Sequence, residues 1–257
     1  MNLGNATLIF KDFPTGRFYN EDCFDAMREI PDGVIDMVLC DLPYGTTQNK
    51  WDSVLPLDKL WAEYWRVCKP NAAIVLTSAQ PFTSALIMSQ VKNFKYDWIW
   101  RKPKGTGHLN AKKMPMRDKE DVCVFYKEQC TYNPQFTEGT PYKDKAGKDH
   151  SATSSMTGSY GAYTNKREDN DGKRYPKQVQ DFPVVERGTL HPTQKPLELW
   201  EYLIKTYTNE NELILDNTAG SGTTAIAAIN TNRKWVCIEK EKDYYYKAIE
   251  RIDATKL

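Results

Sequence analysis

Short apolar runs alternate with helix-patterned segments at both ends of this chain, and this alternation is the feature that most limits its fold. Residues 34–40 and 72–77 are apolar runs of strand length, and residues 56–68 between them carry apolar side chains at helical spacing. A further helix is predicted over residues 81–90 and a strand over 94–100. Strands that alternate with helices predict a parallel sheet that is covered on both faces.

The end of the chain repeats this pattern. The pattern predicts three helices, over 196–207, 223–230 and 243–252. It predicts two strands between them, over 212–215 and 234–238. We therefore expect both ends of the chain to contribute to one α/β domain with a mostly parallel sheet.

The middle of the chain, residues 101–190, differs in character. It is rich in turn-forming residues, and between positions 101 and 148 it carries 11 Lys or Arg against 6 Asp or Glu. One strand is predicted inside it, over residues 121–126. We predict one α/β domain contributed by residues 1–100 and 191–257, with residues 101–190 as an inserted region between them.

Composition narrows the class of protein without identifying it. The net charge of +1 neither demands nor excludes a nucleic-acid partner. Six cysteines without a C-x-x-C pair indicate a reducing compartment, and three histidines make a structural zinc site unexpected, so we predict no metal. No secretory signal and no apolar run of 18 residues is present, and we expect a cytoplasmic protein with no membrane association.

One motif suits a nucleotide-like cofactor. The apolar strand 213–215 leads into Asp216 and a turn with Gly220 and Gly222, and a helix follows. Glycines allow a ligand to approach the backbone closely, and a helix N-terminus favours a negative group. The spacing is neither that of a dinucleotide fingerprint nor that of a P-loop. A tight strand-to-helix connection without a ligand is the structural alternative.

Two carboxylates follow predicted strands. Glu239 ends the strand 234–238, at the place where Rossmann-type folds hold ribose hydroxyls. Asp41 follows the strand 34–40 and opens the motif Asp41-Leu42-Pro43-Tyr44, in which Pro43 restricts Leu42 to an extended backbone. The carboxylate and the Leu42 carbonyl can converge on one amino group, and Tyr44 offers a flat face to a base. A turn with a solvated Asp is the alternative.

Together these motifs resemble the β-group of amino-methylating DNA methyltransferases. In that family the catalytic motif precedes the target-recognition region and the cofactor motif follows it, which is the order found here. The segment 191–196, His-Pro-Thr-Gln-Lys-Pro, also matches. The resemblance covers both ends of the chain and is weakest in the middle. It implies a Rossmann-like methyltransferase fold that depends on S-adenosylmethionine. The catalytic half would then cover 1–100, the target-recognition insert 101–190 and the cofactor-binding half 191–257.

The resemblance also implies roles for individual residues. The catalytic residues would be Asp41, Leu42, Pro43 and Tyr44. The sequence departs from the family pattern in two places: Leu42 replaces the usual Pro, and Asn217-Thr218 replaces Pro-Phe and so lacks the Phe that usually contacts the cofactor adenine. The cofactor-binding residues would be Asp22, Cys23, Asp41, Lys195, Asp216, Thr218, Ala219, Gly220, Ser221, Gly222, Thr223 and Glu239.

The implied activity is methyl transfer from S-adenosylmethionine to N6 of adenine in double-stranded DNA, after base flipping and without a covalent intermediate. Adenine is favoured because Asp opens the motif, whereas N4-cytosine members more often have Ser. A homodimer and a restriction endonuclease partner are compatible with this resemblance. The candidates for contact with DNA are Lys102, Lys104, Lys112, Lys113 and Arg117.

Other functions stay open at this point. An N4-cytosine methyltransferase uses the same motifs. An RNA or protein amino-methyltransferase is disfavoured by the basic insert and by the motif order. A binding-only homologue is disfavoured by the intact Asp41, Tyr44, Gly220 and Gly222. An NAD-dependent oxidoreductase is disfavoured because the dinucleotide fingerprint is missing.

Overall fold

A computed structural model describes residues 8–46, 52–143, 169–185 and 194–255. The chain divides into two compact units, one formed by Met1–Asn133 with Gln178–Leu257 and the other by Pro134–Lys177. Residues 191–193 of the His-Pro-Thr-Gln-Lys-Pro segment lie outside the described residues.

The described part of the chain forms strands and helices in alternation at both ends. The strands are β1 (Ile9–Phe13), β2 (Gly16–Asn20), β3 (Ile35–Asp41), β4 (Cys68–Ser78), β5 (Phe94–Thr106), β6 (Arg117–Phe125), β7 (Thr137–Glu138), β8 (Lys173–Arg174), β9 (Val179–Asp181), β10 (Leu213–Asp216) and β11 (Lys234–Ile238). The helices are α1 (Cys23–Arg28), α2 (Leu57–Val67), α3 (Phe82–Ser89), α4 (Leu197–Tyr207), α5 (Thr223–Asn230) and α6 (Lys242–Asp253), with one 3-10 turn at His108–Asn110.

The larger unit contains one nine-stranded sheet in the order β1-β2-β11-β10-β3-β4-β6-β5-β9. The neighbours from β2 to β4 pair in parallel, and β5 pairs in parallel with β9. The pairs β1–β2, β4–β6 and β5–β6 are antiparallel. This arrangement confirms the predicted α/β fold with a mostly parallel sheet.

Helices cover both faces of this sheet because its strands are apolar on both sides. Along β3, Met37 and Leu39 belong to one core cluster, and Val38 and Cys40 to the other, as side chains alternate along a strand. The first cluster includes buried residues of α4, α5 and α6, and the second includes those of α1, α2 and α3. The central strands are therefore buried on both sides, as expected for parallel sheets.

The order of the strands places a crevice at the centre of the sheet. From β3 the chain continues to β4 on one side, whereas from β10 it continues to β11 on the other side. Such a reversal separates the connections that follow the two central strands, and ligands bind there, at the carboxyl ends of the strands. Asp41 ends β3 and Asp216 ends β10, so both carboxylates lie at this crevice.

The smaller unit contains the two-stranded sheet β7–β8, in which Thr137 pairs with Arg174. The Phe136 and Tyr175 rings lie 4.8 Å apart, and Arg174 donates a 2.6 Å hydrogen bond to the Thr140 carbonyl. Residues 101–106 and 117–125, which fall in the predicted recognition region, are strands of the large sheet. Among the helices that the structure describes, none is both long and apolar enough to cross a bilayer.

Candidate active site

A cavity of about 600 Å³ lies at the carboxyl ends of β3 and β10 in the larger unit. This volume falls within the usual range for small-molecule sites. The cavity brings together most of the residues that the sequence singled out. Those that line it are Asp22, Cys23, Asp41, Leu42, Pro43, Tyr44, Lys102, Arg117, Lys195, Asp216, Thr218, Ala219, Gly220, Ser221, Thr223 and Glu239.

Both carboxylate oxygens of Asp41 are engaged by side chains. Asp41 Oδ1 accepts hydrogen bonds from the Tyr44 hydroxyl at 2.7 Å and from Thr77 Oγ1 at 2.5 Å. Asp41 Oδ2 forms an ion pair with Lys195 Nζ at 2.5 Å. Thr77 lies on β4, directly opposite Asp41 in the parallel register. The neighbouring strand therefore fixes the orientation of this carboxylate.

The Tyr44 ring is held in place at the side of the cavity. It stacks on Phe82, with ring centroids 5.4 Å apart and an interplanar angle of 22°. Burial and the nearby Asp41 raise the pKa of Tyr44 well above its usual value, so its hydroxyl stays protonated and donates. Lys195 Nζ lies over the ring, 5.6 Å from its centroid. The arrangement provides an aromatic face next to the carboxylate.

A second carboxylate, Glu120 on β6, lies close to this pair. Glu120 Oε2 is 3.3 Å from Lys195 Nζ, and Glu120 Oε1 forms an ion pair with Lys102. The side chains of Glu120 and Lys195 are only 13% and 7% exposed. Burial opposes the charge of Lys195, but Asp41 and Glu120 outweigh this effect and raise its pKa, so the lysine is charged. The site thus holds a buried chain of alternating charges.

The turn after β10 is held together by Asp216 and by α6. Asp216 accepts hydrogen bonds from the Thr218 backbone N–H at 3.1 Å and from the Thr224 hydroxyl. Burial raises the pKa of Asp216 to about 6. Arg251 of α6 donates to the Ser221 carbonyl at 3.0 Å, which fixes the far side of the turn.

Gly222 is required at the end of this turn for two reasons. Its φ of 74° lies in the left-handed region that favours glycine. A Cβ at this position would also lie 3.2 Å from the Ala248 Cβ and 3.3 Å from Ile252 Cδ1 of α6. Gly222 itself does not line the cavity, so it acts by shaping the turn.

Glu239 is held by backbone groups on the opposite side of the turn. Its Oε2 accepts from the Gly220 N–H at 2.8 Å and its Oε1 from the Glu241 N–H at 2.7 Å. A carboxylate has about four acceptor positions, so capacity for two further hydroxyls remains. Burial raises the pKa of Glu239 to about 7.

Asp22 lies at the start of α1, on the same side of the cavity as Glu239. It caps the helix by accepting from the Phe24 N–H at 3.0 Å, and it pairs with Lys240 at 3.2 Å. Asn20 at the end of β2 donates to the carbonyls of Glu239 and Lys240, so the segment that leads into α1 is tied to the end of β11. These residues form the part of the cavity that suits the nucleoside end of a ligand.

Asn217 and Thr218, which replace Pro-Phe of the family pattern, serve this fold in other ways. Asn217 is buried under the turn, where its Oδ1 accepts from Tyr64 at 2.5 Å and from the Cys40 thiol at 2.8 Å. Thr218 donates from its hydroxyl to the Asp41 carbonyl at 3.1 Å. The cofactor turn is thereby joined to the catalytic strand, and neither residue supplies an aromatic face.

The predicted DNA-contacting cations fall into two groups. Lys102 is largely buried in its pair with Glu120, and Arg117 lines the mouth of the same cavity. Lys104 is exposed near the end of β5, and Lys112 and Lys113 are exposed in the connection between β5 and β6. Among the described residues no cluster of His, Cys, Asp or Glu could hold a metal, and all six cysteines are buried thiols.

Three residues at the site escaped the sequence analysis. Glu120 precedes the predicted strand 121–126 and stands between Lys119 and Asp121, so nothing in the sequence distinguishes it from a surface charge. Thr77 was read as the last residue of an apolar strand. Trp200 of α4 donates to Thr224 at 2.7 Å and lines the cavity, a contact that helical spacing alone does not reveal.

Comparison with known proteins agrees with this geometry. A family model of N6/N4 methyltransferases, described as DNA methylase, matches residues 35–250. The type II methyltransferase M2.DpnII of Streptococcus pneumoniae is 37% identical, over 91% of this chain and 88% of its own length. The DNA adenine methyltransferase YhdJ of Escherichia coli (strain K12) is 26% identical, over 92% of this chain and 85% of its own length.

Solved structures show the same fold. The M1.HpyAVI–SAM complex has a TM-score of 0.62 at 25% identity and covers 92% of this chain and 99% of its own. The PvuII cytosine-N4-specific DNA methyltransferase has a TM-score of 0.64 at 16% identity and covers 95% and 88%. The cavity, with an acidic acceptor at Glu239 and a close-packed turn at Gly222, fits S-adenosylmethionine. The chain belongs to the N6/N4 family of amino-methylating DNA methyltransferases, which use S-adenosylmethionine.

Proposed function

We propose that this protein methylates N6 of adenine in double-stranded DNA. The observation that carries the proposal is the position of Asp41 and Tyr44, which line the same cavity as the cofactor turn. The Asp that opens the motif favours adenine over cytosine within this family. The relative YhdJ, named a DNA adenine methyltransferase, supports the same choice of base.

S-adenosylmethionine supplies, when bound, a methyl group on a positively charged sulfur, which leaves as a neutral thioether. The turn from Asp216 to Thr223, together with Asp22 and Glu239, would hold it. Glu239 would accept the ribose hydroxyls, since its two remaining acceptor positions match a diol.

The protein's own task is to prepare the amino group of the base. An exocyclic amino nitrogen is a weak nucleophile because its lone pair is delocalised into the ring. If Asp41 and the Leu42 carbonyl accept its two hydrogens, the nitrogen becomes more nearly tetrahedral and the lone pair becomes available. Asp41 also stabilises the positive charge that develops on nitrogen, and it accepts the proton that the methylated nitrogen releases.

The base must leave the duplex to reach this position. Asp41 is about a fifth exposed, at the side of a cavity, and a paired base cannot reach it. We infer that the adenine is flipped out and stacks on the Tyr44 ring. Lys104, Lys112, Lys113 and Arg117 would contact the phosphates beside the flipped base, and residues 101–190 would read the flanking sequence.

Transfer to N4 of cytosine is the second candidate, because Asp41 and Leu42 could accept from either amino group. Relatives that are named type II methyltransferases support a restriction endonuclease partner in the same system. We also propose that the protein forms a homodimer and is located in the cytoplasm.

The test uses tritiated S-adenosylmethionine and unmethylated bacterial genomic DNA, followed by digestion and chromatography of the nucleosides. We expect label in N6-methyladenine from the native protein and none from Asp41→Ala, with cofactor binding retained. Label in N4-methylcytosine would keep the enzyme class and overturn the base. No label, beside an active control enzyme, would contradict the proposed function.

A further inference from the structure

Both oxygens of the catalytic carboxylate are engaged by protein groups. Asp41 Oδ1 accepts two hydroxyls, from Tyr44 and Thr77, and Asp41 Oδ2 is paired with Lys195 at 2.5 Å. About three of the four acceptor positions of Asp41 are therefore taken by protein groups, and an amino group of the target base would have to share Oδ2 with the Lys195 ammonium.

Lys195 also occupies the place that the base needs. Its ammonium lies over the Tyr44 ring at 5.6 Å, and Phe82 already stacks on that ring. A base that stacks on Tyr44 and donates to Asp41 would meet the ammonium in both positions. Displacement of Lys195 is thus a requirement of the proposed reaction, on which this inference rests.

The displaced ammonium needs another buried anion. An unpaired charge inside a protein is costly, and Lys195 is only 7% exposed. Glu120 Oε2 lies 3.3 Å from Lys195 Nζ, and within the described part of the chain this buried oxygen accepts no hydrogen bond. It therefore has spare acceptor capacity at the required place.

The other end of Glu120 is already anchored. Its Oε1 pairs with Lys102, whose ammonium lies 4.9 Å from the Trp100 ring centroid. Trp100 in turn donates to the Phe182 carbonyl at 2.9 Å. The carboxylate is held in one orientation, with Oε2 directed at Lys195.

We propose that Glu120 is a positioning residue that receives the Lys195 ammonium when the target base displaces it from Asp41. In the absence of DNA, Lys195 is paired with Asp41 and blocks it. During methyl transfer Lys195 is paired with Glu120 instead. Glu120 acts through Lys195 and does not touch the reacting nitrogen, and the reasoning holds for an adenine or a cytosine amino group.

The central variant is Glu120→Gln, which keeps the size of the side chain and removes its charge. Lys195 would then remain on Asp41, and we expect the single-turnover rate of methyl transfer to genomic DNA to fall at least about 10-fold. The dissociation constant for S-adenosylmethionine should change less than about twofold, and Glu120→Asp should recover a large part of the rate.

Asp121→Asn is the matched control. Asp121 is the next residue of β6 and does not itself line the cavity, although its partner Lys119 does. Its buried carboxylate pairs with Lys119 at 2.6 Å and accepts a hydrogen bond from Thr83 at 3.0 Å. We expect this variant to lower the melting temperature and to leave the single-turnover rate within about twofold. A rate loss equal to that of Glu120→Gln would assign the effect to general damage of β6 and overturn the proposal.

Coupling between the two residues gives the decisive result. In a Lys195→Met background Asp41 Oδ2 is already open, so Glu120→Gln should cause no further loss of rate. An equal loss in both backgrounds, or a Glu120→Gln enzyme with at least half the native rate, would overturn the proposal. If Lys195→Met is too slow to measure, failure of Glu120→Asp to exceed Glu120→Gln overturns it. The native enzyme, assayed alongside, reports the proposed function separately.

Discussion

The two sides of the cavity hold their carboxylates in different ways. On the catalytic side, Asp41 is engaged by the side chains of Tyr44, Thr77 and Lys195. On the cofactor side, Glu239 is engaged by the backbone N–H groups of Gly220 and Glu241. Side chains can rotate away when a substrate arrives, whereas backbone groups in a packed turn cannot.

The difference matches what each side has to do. Asp41 must exchange its partners for an amino group in each catalytic cycle, so its present donors are replaceable. Glu239 must present the same acceptors to every cofactor molecule, so fixed donors keep it preorganised and reduce the ordering that binding requires. The comparison predicts that substitutions on the catalytic side change the rate of methyl transfer, whereas substitutions on the cofactor side change the affinity for the cofactor.

The largest effect is expected from Asp41→Asn. The amide keeps the size of the side chain but lacks the charge that stabilises the methylated nitrogen and accepts its proton. We expect the single-turnover rate to fall by about 100-fold or more. Measurement of labelled DNA under saturating cofactor checks this, and a rate within about threefold of the native value would break the comparison.

Gly222→Ala tests whether the shape of the turn on the cofactor side determines cofactor affinity. The new Cβ would press on Ala248 and Ile252 at a φ of 74°, and the turn would shift. We expect a loss of about 1–2 kcal/mol in the free energy of unfolding and a rise of roughly 5- to 30-fold in the dissociation constant for S-adenosylmethionine.

The control for this prediction is Gly33→Ala. Gly33 has a similar φ of 65°, but a Cβ there would have no neighbour within 4 Å. This variant should lose stability without a change in cofactor affinity. Equal affinities of both variants for the cofactor would show that the shape of the turn does not matter.

Glu239 makes the affinity depend on pH. Its pKa of about 7 means that the carboxyl is largely protonated at pH 6, and the ionised form is the better acceptor for a diol. We expect the affinity for S-adenosylmethionine to rise about tenfold from pH 6 to pH 8, measured by calorimetry. Glu239→Gln should bind more weakly and lose most of this slope, and what remains near pH 6 should come from Asp216, whose pKa is about 6.

The raised pKa of Glu239 has the opposite effect on folding stability, which should fall as the pH rises. The folded protein binds a proton at Glu239 that the unfolded chain releases near pH 4.5, so this contribution to stability is lost as the pH rises through about 7. Thermal melts of the cofactor-free protein should show a decline from pH 5 to pH 8 that is smaller in Glu239→Gln.

The smallest effect is expected from exposed lysines that belong neither to the catalytic side nor to the cofactor side of the cavity. Lys112→Ala with Lys113→Ala should weaken DNA binding and reduce the slope of log affinity against log salt by about 2. The rate at saturating DNA and the cofactor affinity should stay at native values. Lys247→Ala, an exposed lysine on α6, is the control and should not change the salt dependence.

The central sheet could be predicted because its strands are buried on both faces. The continuous apolar runs at 34–40, 72–77 and 234–238 carry a strong signal. The first overlaps β3 with a shift of one residue, the second lies within β4 and the third matches β11. The first elements, β1, β2 and α1, were not predicted. β1 is mostly exposed and α1 has only six residues, so neither shows the pattern of a buried element.

The candidate site was predictable where its residues follow one another in the chain. Asp41 to Tyr44 and Asp216 to Thr223 are local motifs that a turn and a strand end can explain. Glu120 could not be found in this way, because it lies 79 positions beyond Asp41 in the printed sequence and meets Lys195 only through the antiparallel pairing of β4 with β6. The role of Glu120 depends on its contact with Lys195, which only the three-dimensional structure reveals.

The most direct test of the separation between the two sides measures Asp41→Asn and Glu239→Gln together. For each variant, the equilibrium affinity for S-adenosylmethionine and the single-turnover rate at saturating cofactor are determined with the same DNA. We predict that Asp41→Asn keeps the affinity and loses the rate, and that Glu239→Gln loses affinity and keeps most of the rate. If both variants lose both quantities to a similar extent, the two sides do not act separately and the account is contradicted.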